Sequence, residues 1–371
     1  CCTNWTGSWD PGNAESLLRY TKEKGYQIAG FEFGNELVAN GGIEAHLTTD
    51  QYVHDFCMLK DLVSKIWSEE GEHRPKLITP DNAFEKKWYG EFLLKAIEAG
   101  CPPDIITWHQ YLLGAGKDPN VGSRALDPNV LNQQILDGQN VQTTIIANSK
   151  GLPSPPEIWM GEAGGAYNSG RHLVTDAFHS SFWYLDGFGI LSEKGHQTFC
   201  RQTLVGGNYG LLNTTTYEPN PDYYGLLLWQ KLMGREVFHV NIHTTKEVST
   251  PGTLRVYAHC DASTPGDLTI LMMNLANDTV WNVNLTEPLT TLTREEYVMS
   301  SASLSSQELK LNGEYLQIEA DTIPTLIPKT VHPPNEGDDR IILQPLTYGF
   351  FILRGAGLVP CMHTTEMKSS I

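Results

Sequence analysis

The strongest constraint on the fold is an alternation of short apolar runs with amphipathic stretches over the first two-thirds of the chain. Strand-length apolar runs read at about residues 26–33, 76–79, 104–108, 157–161 and 197–204. Helical patterns fall around them, near residues 10–25, 48–66, 88–99, 129–149, 176–191 and 223–233. In the second of these, Tyr52, Phe56, Leu59, Val63 and Ile66 recur at spacings of three and four, which places them on one helix face. Thr48 with Gln51 reads as that helix's capping box. Strands that alternate with helices build a parallel sheet with helices packed outside it.

The texture changes after about Gly234. Residues 254–259, 267–273, 280–285, 308–318 and 341–353 read as strands separated by turn residues, with no helical pattern between them. Asn312-Gly313 is a strong two-residue hairpin signal. We therefore expect two domains: an α/β domain over residues 1–235 and a C-terminal β-sandwich over residues 236–371. Cys260 ends the first strand of the second domain and Cys361 follows its last. A bridge between them would tie the domain's ends together, worth about 4 kcal/mol in the chain-entropy model. None of the seven cysteines forms a CxxC pair, so neither a zinc site nor thioredoxin-like chemistry is indicated. Cys57 sits within the helical pattern at 48–66 and reads as a small core residue.

Charge narrows the partners. With 43 acidic against 26 basic residues the formal net charge is −17, and no Lys/Arg cluster relieves it. That argues against nucleic acid and sulfated polyanions, which demand a basic surface. No run of eighteen apolar residues is present to span a membrane as a helix. Four Asn-x-Ser/Thr sequons, at Asn4, Asn213, Asn277 and Asn284, lean toward the secretory pathway. The expected location is extracellular, as in a cell wall, with a lysosomal, vacuolar or membrane-associated site as the alternative. The chain opens on Cys1-Cys2 without Met or a signal-peptide apolar region, which reads as a processed product or a missing start.

Two carboxylates stand out because each directly follows a strand: Glu36 in Phe33-Gly34-Asn35-Glu36, and Glu162 in Trp159-Met160-Gly161-Glu162. In a β/α barrel, residues at the C-terminal strand ends point into the active-site mouth. Two such glutamates can flank one glycosidic bond, one as acid and one as nucleophile. A glutamate after a strand can also merely cap the next helix, but two of them, one preceded by Gly-Asn, weaken that reading. Five strand–helix units are legible where a closed (β/α)8 TIM barrel needs eight. The barrel is therefore expected to lack its first three strands here, and a separate N-terminal chain is a possible partner that completes it.

The local sequences then resemble a family. Gly34-Asn35-Glu36, Trp108-His109-Gln110-Tyr111, Trp159-Met160-Gly161-Glu162 with Ala166-Tyr167, and Gly207-Asn208-Tyr209 look like the heparanase family, glycoside hydrolase family 79. Segments 182–186, 201–207, 219–224 and 255–260 resemble its plant heparanase-like branch, which includes a β-glucuronidase of flavone glucuronides. The resemblance runs from about Trp9 to the C-terminus. It implies a β/α barrel followed by a β-sandwich, and a retaining hydrolase of β-glucuronides that uses no metal and no cofactor.

By that resemblance Glu36 is the general acid/base, Glu162 the nucleophile, and Asn35 the partner of the sugar 2-OH. His109 and Tyr111 would supply donors that keep Glu162 ionised, or else be core aromatics with a buried partner. The glucuronate carboxylate would be held by backbone amides at Asn168 and Ser169 and by the Tyr209 hydroxyl, with Gln202 nearby. The animal enzymes carry glycines where this chain has Asn168-Ser169, which bears on substrate identity. His239 and His243 have the spacing of a zinc pair, but lie in a strand-like stretch and read as solvated surface. The rival classes are a non-catalytic carbohydrate-binding or interaction protein and a retaining glycosidase of uncharged pyranosides.

Overall fold

A computed structural model describes residues 7–38, 45–69, 73–244, 252–318, 322–332 and 340–362. The chain forms two compact units, neither continuous in sequence. The first comprises Cys1–Gln110, Leu136–Ala163 and Lys194–Arg201; the second comprises Tyr111–Ile135, Gly164–Glu193 and Gln202–Ile371.

The first unit is built on five parallel strands: β1 (Gly30–Glu32), β2 (Lys76–Thr79), β3 (Ile105–His109), β4 (Glu157–Ala163) and β5 (Thr198–Arg201). They hydrogen-bond in chain order, so each strand neighbours the next and the sheet is a parallel half-barrel. Between β1 and β2 lies the helix Thr49–Ile66, whose cap Thr48 accepts a hydrogen bond from the Gln51 amide over 3.3 Å. Its expected face is the buried one: Tyr52, Phe56, Leu59, Val63 and Ile66 are all nearly inaccessible. Tyr52 meets Phe33 and Phe92 edge-on at 5.3 and 5.4 Å, and Phe92 stacks on Trp88 of the helix Lys86–Glu98. Each such side chain removed from water contributes roughly 1.5–3 kcal/mol, which makes this aromatic layer the anchor of β1 and β2.

Cys57 corrects the sequence reading. It is bonded to Cys101, which follows the helix Lys86–Glu98, with their Cα atoms 5.5 Å apart. Two helices packed side by side decide this pair, and helical spacing within one segment carries no sign of it. Cys200 on β5 is a free thiol.

The second unit carries an eight-stranded antiparallel sheet. Thr347–Arg354 lies between Leu268–Asn274 and Thr293–Ser300, and Leu254–Asp261 continues the sheet toward Met233–Phe238. A two-stranded ribbon, Trp281–Val283 with Ile341–Leu343, packs on Leu254, Leu268, Ile270, Met272 and Phe351 of that sheet. In place of the two full sheets of the expected β-sandwich, the described residues show one large antiparallel sheet and this two-stranded ribbon. Lys310–Leu311 and Glu314–Tyr315 pair across Asn312-Gly313, whose positive φ angles of 51° and 95° suit the tight hairpin turn. The strand Thr293–Ser300 gave no strand signal, because Arg294, Glu295 and Glu296 interrupt its apolar pattern. Its charges are matched laterally: Arg354 reaches Glu295 over 2.7 Å and Arg294 reaches Glu296 over 2.7 Å.

Helices His179–Glu193 and Pro221–Leu232 belong to this same unit. The former is buried from Ser180 to Leu191, and Gly189 lets it approach the Tyr257 ring, where a Cβ would lie 2.2 Å from the ring. Cys260 and Cys361 are joined, with Cα atoms 5.3 Å apart, as their positions around the domain suggest.

Candidate active site

The chemistry of the first unit gathers at the C-terminal ends of its strands, where β/α folds place reactive groups. After β1 the chain turns through Gly34 at φ 83°, a conformation that suits glycine, and reaches Glu36 at φ 51°. After β2 it reaches Asp81 at φ 54°. Left-handed backbone is uncommon for residues with a side chain, and here it falls at two neighbouring strand ends. The Tyr52 hydroxyl ties these ends together. It donates to the Phe33 carbonyl over 2.6 Å and lies 2.7 Å from the Thr79 hydroxyl. The Asp81 amide donates to the Thr107 hydroxyl over 3.0 Å, and the His109 amide donates to the Asn82 carbonyl over 2.9 Å.

At the end of β3, His109 is buried between two carboxyl groups. Its Nδ1 lies 3.0 Å from Glu36 Oε1, and its Nε2 is hydrogen-bonded to Asp81 Oδ1. A bulge between Trp108 and His109 shifts the register, so that His109 faces Glu162 across the β3–β4 pair. A carboxylate oxygen of Glu36, one of Glu162 and a ring nitrogen of His109 all lie within 4.8 Å of one another. Desolvation lowers the basicity of His109, but Asp81, Glu36 and Glu162 outweigh it and raise its pKa to about 9. Glu32 on β1 is exposed as a residue, yet its carboxyl is crowded by protein. Desolvation first and the Asp81 charge second push it up to about 7, against hydrogen bonding from Thr107.

This trio is the one group of at least three His, Cys, Asp or Glu donors, among the described residues, close enough to share a cation. Both ring nitrogens of His109 are already engaged by carboxyl groups, so it reads as a hydrogen-bonded cluster.

The sugar-binding candidates fall in both units. Asn35 is exposed beside Glu36 in the first. Tyr111, Asn168, Ser169, Gln202 and Tyr209 belong to the second. There, a Cβ on Gly164 would lie 2.8 Å from the Tyr111 ring, 2.8 Å from the Gln202 carbonyl oxygen and 3.3 Å from the Tyr209 ring. The backbone runs left-handed through Asn168, Ser169 and Gly170, with φ of 57°, 65° and 68°. The Asn208 amide donates to the Ser169 carbonyl over 2.7 Å, which holds this loop beside Tyr209. Sequence reasoning thus named residues that the second unit brings together.

It also expected His109 to serve Glu162. The ring's two hydrogen bonds run to Glu36 and Asp81, and a Glu162 carboxylate oxygen also lies within 4.8 Å of a ring nitrogen. Asp81 and Glu32 were missed. Asp81 follows β2 as directly as Glu36 follows β1, so the strand-end rule that found one could have found the other.

Asn277 and Asn284 are exposed and Asn213 is half-buried, while Asn4 lies outside the described residues. His239 and His243 are exposed. No helix among the described residues is long and apolar enough to cross a membrane.

The model of the glycosyl hydrolase family 79 N-terminal domain matches residues 2–189. Heparanase-like protein 1 of Arabidopsis thaliana is 36% identical over 385 residues, covering 94% of this chain and 67% of that protein. Baicalin-beta-D-glucuronidase of Scutellaria baicalensis is 35% identical, covering 96% of this chain and 64% of that enzyme. Heparanase of Bos taurus is 30% identical, over 95% and 63%. The chain thus spans about two-thirds of the length of these relatives. Among solved structures, a 4-O-alpha-L-rhamnosyl-beta-D-glucuronidase from Fusarium oxysporum superposes with a TM-score of 0.67. It is 12% identical and is matched over 93% of this chain and 74% of its own. An alpha-L-arabinofuranosidase from Thermotoga maritima gives 0.64 at 14% identity, over 94% and 74%. The fold is shared with TIM-barrel glycosidases of this kind.

Proposed function

The chain belongs to glycosyl hydrolase family 79 and is a glycoside hydrolase; from that premise we propose that it cleaves β-glucuronides with retention of configuration, Glu36 as acid/base and Glu162 as nucleophile. The observation that carries this reading is the approach of the two carboxyl groups, with oxygens within 4.8 Å. Retaining glycosidases hold their carboxyl groups about 5–5.5 Å apart, whereas inverting ones need roughly 6.5–9.5 Å to admit a water.

In the first step a Glu162 carboxylate oxygen bonds to the anomeric carbon as the glycosidic C–O bond breaks. The bonding pair leaves with the aglycone oxygen, which takes the proton of Glu36. In the second step Glu36, now a carboxylate, removes a proton from water, whose oxygen displaces Glu162 and restores both groups. Asn35, beside Glu36, is the candidate partner of the sugar 2-OH. Tyr209, the amides of Asn168 and Ser169, Gln202 and Tyr111 are the candidate contacts for the uronate.

The substrate class follows from relatives that bear the names heparanase and baicalin-beta-D-glucuronidase. A net charge of −17 disfavours a heavily sulfated polymer. Residues 1–235 are proposed as the catalytic module and 236–371 as an accessory β module, since all five parallel strands end by Arg201 and the large antiparallel sheet begins at Met233. Exposed sequons at Asn277 and Asn284 and two disulfides support passage through the secretory pathway.

The test uses the intact protein with aryl and alkyl β-glucuronides. Glu162→Gln should abolish turnover of all of them. Glu36→Gln should retain turnover of substrates with good leaving groups, which need little protonation, and lose it for poor ones. Proton NMR should show the β-anomer of the sugar as first product. The α-anomer first, or two variants with the same leaving-group dependence, overturns the assignment.

A further inference from the structure

Resting on that reading, we propose that Asp81 is a positioning residue for the reaction, acting through His109 to hold a cationic imidazolium against the Glu36 carboxyl. Three observations carry it. Asp81 and Glu36 grip the two ring nitrogens of one buried histidine, His109. A neutral imidazole has one N–H and could satisfy both groups only by accepting from a protonated Glu36; once Glu36 is a carboxylate, only the imidazolium donates to both. The Asp81 carbonyl also accepts the Glu36 amide over 2.8 Å, so the backbone that bears Asp81 sets where Glu36 stands. Glu36 and Asp81 both hold the left-handed conformation, strain of a kind found where the surrounding structure over-determines a site.

The chemical consequence lies in the first step. As Glu36 gives up its proton, negative charge grows on the oxygen that faces His109 Nδ1. A fixed N–H and a fixed positive charge stabilise that oxygen without reorganising at the moment of reaction. His109 keeps both its protons throughout; the proton that moves is that of Glu36. The charged and titratable groups around the ring are Glu36, Asp81, Glu162 and Glu32, with Cys200 on β5 and the Tyr52 and Tyr89 hydroxyls close to Asp81 and Glu32. Among them Asp81 has the largest effect in keeping the imidazole protonated against its burial.

The experiment compares Asp81→Asn, Asp81→Glu and Glu36→Gln in the intact protein. Asp81→Asn should lower kcat for a poor leaving group by roughly ten- to a hundred-fold, a share of what a general acid contributes. It should change KM little and spare an activated aryl glucuronide. Its alkaline limb should move to lower pH by a unit or more, because burial then dominates at His109. Asp81→Glu, which keeps the charge, should restore part of both. Nitrogen-15 NMR of the wild-type protein should show both ring nitrogens of His109 protonated at pH 7.5, a readout that stands even if Asp81→Asn fails to fold. A neutral His109 at that pH, or a folded Asp81→Asn with wild-type leaving-group dependence and alkaline limb, overturns the inference. If Glu36→Gln itself shows no leaving-group dependence, the functional reading fails instead.

Discussion

The backbone amide of Glu36 donates to the carbonyl oxygen of Asp81 over 2.8 Å, and both residues hold a positive φ. This one contact joins the chain segments that leave β1 and β2. It places a candidate acid beside a carboxylate that does not reach the substrate in the proposed mechanism. His109 closes the triangle from β3, with one ring nitrogen for each carboxyl group. The site is thus organised by lateral neighbours in a parallel sheet, whose order in space is the order of the chain.

Glu32 should titrate near neutrality. Its carboxyl is pushed up to about 7 by desolvation and then by Asp81. A raised carboxyl favours the folded state fully below its unfolded value of about 4.5, and that contribution is lost as pH rises through about 7. Carbon-13 NMR should find the Glu32 carboxyl midpoint between 6 and 8, as roughly one unit's spread about that value allows. Glu32→Gln should flatten the fall in thermal stability between pH 4.5 and 7. A midpoint near 4.5 in the folded protein would refute the crowding described for this carboxyl.

Tyr52→Phe should weaken both stability and turnover. The change removes one hydroxyl and leaves the buried Phe33 carbonyl and Thr79 hydroxyl without it. An unsatisfied buried group costs about 1–3 kcal/mol, so denaturant unfolding should show a loss of that order. Because Phe33 and Thr79 lead directly into the Glu36 and Asp81 turns, kcat should fall several-fold with the fold intact. A variant as stable and as active as wild type would mean that the aromatic layer alone positions these strand ends.

Removing the Cys260–Cys361 bridge should destabilise the antiparallel unit. The two cysteines are 101 residues apart in sequence. Closing a loop of that size is worth about 4.7 kcal/mol in the chain-entropy model, and native disulfides of this kind contribute about 2–5. Cys260→Ala with Cys361→Ala should lower the unfolding midpoint accordingly. An unchanged midpoint would show that the ends of the sheet are held by packing alone.

What the sequence by itself determined is what local periodicity and position can encode. Tyr52, Phe56, Leu59, Val63 and Ile66 specify a helix face because a helix repeats every 3.6 residues, whatever it packs against. Glu36 and Glu162 were legible as a pair because strand ends in a parallel α/β sheet share one mouth. Asn312-Gly313 marked its hairpin because few residues other than Asn and Gly accept positive φ in succession. The tertiary structure decided everything that depends on lateral contact. Cys57 meets Cys101 only when two helices pack, and Thr293–Ser300 is a strand because it pairs with Thr347–Arg354, from which Arg354 reaches Glu295. Asp81 meets His109 because β2 and β3 are neighbours in the sheet, so the chain leaving one passes the end of the other. These partners lie 28 to 73 residues apart, beyond any repeat a single segment can carry, so only the folded sheet could bring them together.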